Sequence, residues 1–237
     1  MKYLFDLHTH TIASGHAYST LQEMVSSAKD KGIKLLGISD HAPAMPGSAY
    51  IYHFHNTRVI PRNMQGVKLM IGVEANIISH NGKLDMSKED LRNLDYTIAS
   101  FHPPCIKAGS KKENTKALLR VMENPYVNII GHPDDIRFIM DYEEIVLGAK
   151  ENKVLLEVNN ASLNPKGFRV DAVKATREIL KFCEKYDQPV ILGSDAHISC
   201  DIANFCYGEK LVEEIGFPQE LIVNLSMERL KGFMKKI

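Results

Sequence analysis

The densest chemistry in the sequence is Asp6-Leu7-His8-Thr9-His10, with His16 one small loop later. If residues 3–10 are extended, side chains alternate, so Asp6, His8 and His10 leave one face while Phe5, Leu7 and Thr9 leave the other. Two imidazoles then converge on one point. A neutral imidazole nitrogen ligates a borderline metal ion, and a carboxylate behind the ring orients it, a part open to Asp6. Alone, the pair reads equally well as solvated loop histidines. Its weight comes from repetition, because His41, Glu74, His102, His132, Asp195 and His197 sit at the ends of further apolar runs.

The elements that must position these groups recur along the chain. Residues 20–29 place Leu21, Met24, Val25 and Ala28 at helical spacing, capped by Ser19 or Thr20 and stopped by Gly32. Residues 34–41 form a nearly continuous apolar run, as a strand buried on both faces should, and end in His41. Residues 42–57 read as a long loop rich in Pro, Gly and aromatics, a pocket wall or lid. Residues 68–77 form the third strand, with Glu74 inside it, and Asn81-Gly82 reads as a hairpin turn. Strands over 96–102, 127–133, 154–160 and 189–197 follow, with helices over 115–122, 142–152, 170–186, 204–215 and 227–236. The strand ends His8, His41, Glu74, His102, His132, Asn160 and Asp195 are separated by 33, 33, 28, 30, 28 and 35 positions. A strand, crossover helix and next strand need about 30 residues, so this is the rhythm of βα units. Seven such units predict a parallel sheet rolled into a barrel close to the (β/α)8 type, with its functional groups at the carboxyl ends of the strands.

The bulk properties agree with one globular domain. At 237 residues, 44% hydrophobic and 24% charged, the chain suits one sizeable core, so residues 1–237 are read as a single domain. Lys plus Arg and Asp plus Glu are 29 each, which supplies no basic field for a polyanion and disfavours nucleic acid. Cys105, Cys183, Cys200 and Cys206 form neither a CxxC pair nor a disulfide framework, and no signal peptide or membrane span is legible. A cytoplasmic setting is expected.

Nine side chains thus converge on one mouth: His8, His10, His16, His41, Glu74, His102, His132, Asp195 and His197. One zinc takes three or four protein ligands, so nine imply two or three metals. The motifs Asp6-Leu7-His8-Thr9-His10, Ser39-Asp40-His41, Gly72-Val73-Glu74, Ser100-Phe101-His102, Gly131-His132-Pro133 and Ser194-Asp195-Ala196-His197 occur in this order. Together they resemble the polymerase and histidinol phosphatase (PHP) family over nearly the whole chain. Gly15-His16-Ala17-Tyr18-Ser19 and residues 52–62 most resemble its small stand-alone YcdX-like phosphatases. The resemblance implies an α/β fold, a distorted (β/α)7 barrel holding three metals, commonly zinc. It assigns His8, His10, Glu74 and Asp195 to the first metal. Glu74 bridges to a second, with His102 and His132, and His16, His41 and His197 hold the third. Many relatives carry Asp where this chain has Gly15-His16, so the third site departs from the family at large. Imidazole-rich ligation suits zinc, with manganese or iron as alternatives at the carboxylate-bridged pair.

The cluster's chemistry would be hydrolysis of a small-molecule phosphomonoester: a water between two dications loses its proton near neutral pH and attacks phosphorus in line with the leaving oxygen. The third metal and nearby cations would neutralise the phosphate oxygens. Arg58, Arg62, Lys107, Lys111 and Lys112 lie in the flanking loops. Guanidinium is the better bidentate partner, so Arg58 joins Glu74 and Asp195 in the expected catalytic set. His53 and His55 form a second HxH in an irregular segment without an evident carboxylate partner, and are read as pocket wall. His80 is read as a surface turn residue, and Asp40 as an orienting group or proton carrier. Two rivals stay open: a phosphodiesterase or exonuclease using the same cluster, and a metal-binding module without turnover. The expected partner is a small phosphorylated molecule; neither nucleic acid nor membrane is favoured, and assembly into a homo-oligomer stays open.

Overall fold

The structure, a computed structural model, describes residues 1–167 and 169–234. Its strands are β1 (Phe5–Asp6), β2 (Leu35–Ile38), β3 (Asn63–Met64), β4 (Val67–Ile71), β5 (Val73–Asn76), β6 (Thr97–Ser100), β7 (Ile129–Ile130), β8 (Leu155–Asn159) and β9 (Val190–Gly193). Its helices are α1 (Leu21–Asp30), α2 (Ile51–His55), α3 (Lys88–Asn93), α4 (Lys111–Met122), α5 (Tyr142–Asn152), α6 (Ala172–Lys185), α7 (Cys206–Glu214) and α8 (Met227–Lys231).

The strand expected over 68–77 is two strands in two sheets. One sheet runs β1-β2-β4-β3 and the other β5-β6-β7-β8-β9. All pairings are parallel except the short β3–β4 hairpin. The break falls at Gly72, where the Tyr96 ring lies so close that a Cβ would come within 2.5 Å of it. Isolated bridges carry the wall across both gaps: His41 pairs with Glu74 at the break, and Thr9 with Ala196 between the outer strands. Counting β4 and β5 as one stave gives seven, and the seam between β1 and β9 carries an isolated bridge instead of a ladder.

The inside of the wall is recognisable because every stave contributes to one apolar cluster. Phe5, Leu35, Met70, Ile98, Ile129, Leu155 and Ile191 pack together, with Tyr96 and Leu7. Val223, Leu230 and Met234 join from the C-terminal segment and close the lower end. The inward faces of α4, α5, α6 and α7 are stripped of water by a second cluster, packed against the strands, and that of α1 by a third against β2 and β4.

Local chemistry explains the helix boundaries. Thr20, one of the two caps expected, starts α1 and forms a capping box with Glu23. Ser110 and Glu113 form another, which starts α4 four residues earlier than apolar spacing alone suggested. The 42–57 segment is not all loop, since it contains α2. The turn at Asn81-Gly82 is a hairpin: Gly82 has φ +76°, Ile78 N–H donates to Lys83 O, and Ile77 pairs with Leu84. Among the described residues, no helix is long and apolar enough to cross a membrane.

Candidate metal centre

The structure brings together eight of the nine expected ligands within the mouth, and His16 joins them at the rim. Glu74 lies at the centre, 0% exposed. Its Oε2 is 3.4 Å from His8 Nε2, 3.5 Å from His10 Nε2 and 2.8 Å from His41 Nδ1. Its Oε1 is 3.2 Å from His102 Nε2 and 2.9 Å from His132 Nε2. Asp195 Oδ1 is 3.5 Å from His8 Nε2 and 3.3 Å from His10 Nε2. His16 and His197 meet through their Nε2 atoms at 3.2 Å.

These separations test whether a metal fits. Four ligands about 2.0–2.1 Å from a tetrahedral zinc stand about 3.3–3.4 Å apart, and the His8–Glu74, His8–Asp195, His10–Glu74 and His10–Asp195 distances all match such edges. The atoms themselves are stranded otherwise: His8 Nε2, His10 Nε2, His41 Nδ1, His102 Nε2 and Glu74 Oε2 are buried without a hydrogen-bond partner. Burying an unpaired polar atom is costly, and five gathered around Glu74 fit ions between them. Three donor sets have mutually close ligand atoms: His8–His10–Glu74, His41–Glu74–His102 and His10–His41–His197.

The far side of four of the seven rings is fixed. His8 Nδ1–H donates to Glu157 at 2.6 Å, His10 Nδ1–H to Ser14 Oγ at 3.0 Å, His102 Nδ1–H to Asn76 Oδ1 at 2.8 Å and His197 Nδ1–H to the Asp195 carbonyl at 2.9 Å. Each bond leaves an Nε2 lone pair toward the cluster, the tautomer that ligates a metal. Ser14 is held by Asp40, which also accepts from the Thr11 amide and hydroxyl. Asp40 thus acts behind His10. Asp6 does not orient a ring; it accepts from the backbone of His8 and Ala203 and from Ser194, tying β1 to β9.

The strands deliver these groups through local accommodations. A Cβ at Gly131 would lie 2.3 Å from Ser100 Oγ, so only glycine lets the chain pass before His132. His132 and Asp195 themselves have φ of +30° and +56°, an uncommon left-handed conformation for residues with side chains, of the kind that concentrates at functional sites. Burial also sets the electrostatics. Without a metal, burial and the neighbouring His41 and His197 push the His10 ring down to about 3. Burial opposes charge on Glu74, yet His102, His41 and His8 hold its carboxyl well below the ordinary range. Against the same opposition, His8, His10, His197 and Arg169 do likewise for Asp195.

The mouth opens into a cavity of ≈ 720 Å³. Its cations are Arg137 and Arg169. Arg169 donates to Asp195 Oδ2 at 3.3 Å and Ser162 Oγ at 3.1 Å, and Arg137 makes a forked pair with Asp135 at 2.6–3.1 Å. Arg58 is not brought to the cavity; it is exposed on the turn Thr57–Val59. Arg62 pairs with Asp95 and Lys111 with Asp141, away from the metal ligands. The second HxH has the carboxylates the sequence did not reveal: His55 meets Asp90 at 2.7 Å and His53 lies 3.6 Å from Asp40. His80 is half-buried, not a free surface residue. Sequence reasoning missed Glu157, Arg137 and Arg169. Glu157 alone left a signal, being a carboxylate inside an apolar strand, as Glu74 is.

A wall of parallel strands with a histidine–carboxylate cluster at its carboxyl ends defines an α/β barrel protein with a metal-binding centre. The PHP domain model matches residues 6–186, and the chain belongs to the PHP family. A probable phosphatase of Acetivibrio thermocellus is 46% identical over 237 residues, covering 100% of this chain and 97% of the relative. A probable phosphatase of Clostridium novyi is 43% identical over 235 residues, covering 99% and 96%. Among solved structures, a histidinol phosphate phosphatase from Lactococcus lactis, complexed with zinc, L-histidinol and phosphate, superposes with a TM-score of 0.65 at 18% identity, covering 91% of this chain and 95% of that one. A beta-aspartyl dipeptidase from Fervidobacterium islandicum reaches 0.55 at 14% identity, covering 98% and 72%. At these identities the two structural likenesses concern the fold.

Proposed function

We propose that the chain is a metal-dependent phosphatase of small phosphomonoesters, residues 1–237 acting as one phosphoesterase domain. The observation that carries the reading is the convergence of His8 and His10 on two carboxylates, each Nε2 3.3–3.5 Å from both Glu74 and Asp195, at a cavity that also holds two guanidinium groups. Relatives named probable phosphatases support it, as does the fold shared with a phosphatase crystallised with zinc and phosphate.

Three divalent ions, zinc by preference, are assigned: one to His8, His10, Glu74 and Asp195, one to Glu74, His102 and His132, and one to His16, His41 and His197. Bound there, they supply Lewis acidity and a water deprotonated near neutral pH. Glu74 spans the first two sites through its two oxygens, and Asp195 holds the first from the opposite strand. Arg169, fixed by Asp195, presents its charge beside the cluster, and Arg137 presents a second guanidinium at the cavity wall. They take the phosphate-facing role that the sequence suggested for Arg58.

The test compares 4-nitrophenyl phosphate with bis(4-nitrophenyl) phosphate, using zinc-loaded and chelated protein, alongside elemental analysis. The expected result is monoester turnover that chelation abolishes and zinc restores, with about three ions per chain. Faster diester cleavage would favour the exonuclease-like reading, and bound metal without either turnover would favour a binding module.

A further inference from the structure

Glu157 is a buried carboxylate in the middle of β8, 3% exposed, and it meets donors from three sides. Its Oε1 accepts from the His8 ring at 2.6 Å. Its Oε2 accepts from the backbone N–H of His132 at 2.8 Å and from Asn159 Nδ2 at 3.0 Å. Asn159 Nδ2 in turn lies 3.2 Å from Asp195 Oδ2. One side chain therefore touches two of the assigned ligands and reaches a third through one amide. The position is built for it, since a Cβ at Gly193 would fall 1.8 Å from Glu157 Oε1.

The donor count makes the residue type specific. A carboxylate offers acceptors on both oxygens, whereas glutamine keeps one acceptor and turns an NH₂ toward a donor. If that NH₂ faced His8, the ring would have to accept at Nδ1 and carry its proton on Nε2, the atom aimed at Glu74 and Asp195. If it faced His132, an N–H held at φ +30° would lose its acceptor. Ser14, Asn76 and the Asp195 carbonyl fix the other rings with neutral acceptors, so Glu157 is the one charged orienter among the four.

We propose that Glu157 is a positioning residue for the metal cluster: it fixes His8 as the Nδ1–H tautomer, leaving the Nε2 lone pair for the ion, and anchors the backbone that presents His132. This deepens the metal-centre reading and does not depend on the choice of substrate. Outer partners of metal-bound histidines are typically worth ten- to a hundredfold in affinity.

The test is zinc binding by the full chain from chelator-buffered solutions, for the wild type, Glu157→Gln and Glu157→Asp. Glu157→Gln is expected to bind the weakest of its zinc ions at least tenfold more weakly, and Glu157→Asp, which keeps both acceptors, to recover part of the loss. Nitrogen-15 shifts of the His8 ring in zinc-loaded protein are expected to report Nδ1–H with a metal-bound Nε2 in the wild type and a shift toward Nε2–H in Glu157→Gln. Wild-type affinity in Glu157→Gln would overturn the proposal. So would an Nε2–H ring in the wild type, a measurement that needs no variant to fold. Wild-type protein that binds zinc normally but cleaves no phosphomonoester would defeat the phosphatase reading and leave this one standing.

Discussion

Glu74 and Ile98 are register partners on neighbouring parallel strands, and their side chains meet opposite surroundings. Ile98 packs into the apolar cluster that takes one residue from every stave. Glu74, one stave away, lies under a ring of imidazoles with one oxygen unpaired. The boundary between two layers of the barrel interior runs between them. The lower layer stabilises the fold by removing apolar surface from water. The upper layer buries charge and unpaired polar atoms, a cost that an ion offsets when it binds. Stability and function are thus stacked along the same strands, and variants on either side of the boundary should separate them.

The largest effect is expected from Glu74→Gln. Losing the shared carboxylate should remove at least one zinc by elemental analysis and lower kcat/KM by roughly 10³-fold or more, about 4 kcal/mol. The metal-free variant should melt no lower than metal-free wild type, because its lower layer is untouched. Full activity in Glu74→Gln would break the comparison at its centre. Ile98→Ala is the counterpart: truncation at a fully buried site should cost about 2–5 kcal/mol in denaturant unfolding while zinc content stays unchanged. Loss of zinc from folded Ile98→Ala would show that the layers are not separable.

Most of the lower layer and much of the upper were legible in the sequence, for different reasons. The apolar runs and their spacing of about thirty residues announce parallel strands because the βα unit has a minimum length. The candidate ligands were legible because His8, His41, Glu74, His102, His132 and Asp195 close those runs. What was hidden depends on contacts between distant segments. Gly72 is silent until Tyr96 is seen filling the space beside it, so the split of one strand into two sheets could not be read. Arg169 lies in a segment without periodicity and reaches Asp195 only by tertiary folding. Asp6 shares a motif with His8 yet serves the seam between β1 and β9, since alternation fails where ladder pairing stops at residue 6.

Asp134 sharpens the comparison through pH. It follows His132 by two residues and is buried against Thr176, and burial raises its carboxyl to about 7 against the pull of Arg169 and Thr176. A raised folded-state pKa means that the stability it contributes is complete below about pH 4 and is lost as pH rises through about 7. Asp134→Asn removes that titration. Its stability relative to wild type should therefore climb between pH 4 and 7, by roughly 1–4 kcal/mol, and level off above. Urea unfolding of metal-stripped protein across this range checks it. A flat difference would place Asp134 outside the costly layer.

The smallest effect is expected where sequence reasoning placed a catalytic group and the fold did not. Arg58 is exposed on its turn and absent from the cavity wall, whereas Arg169 is 9% exposed in its side chain and bonded to Asp195. A solvated cation outside the cavity changes surface charge and little else, because water screens it. Arg58→Ala should therefore leave kcat/KM for 4-nitrophenyl phosphate and the inhibition constant of inorganic phosphate within about twofold of wild type. Arg169→Met, which keeps the stem and removes the fork, should weaken inorganic phosphate at least tenfold, a common scale for losing a charge-assisted contact. The pair is informative because both lose one positive charge, so net charge cancels and only position differs. If Arg58→Ala weakened phosphate as much as Arg169→Met, the 42–63 segment would have to close over the mouth during turnover. The upper layer would then include Arg58, which the structure places outside the cavity that Met45 and Pro46 of the same segment already line.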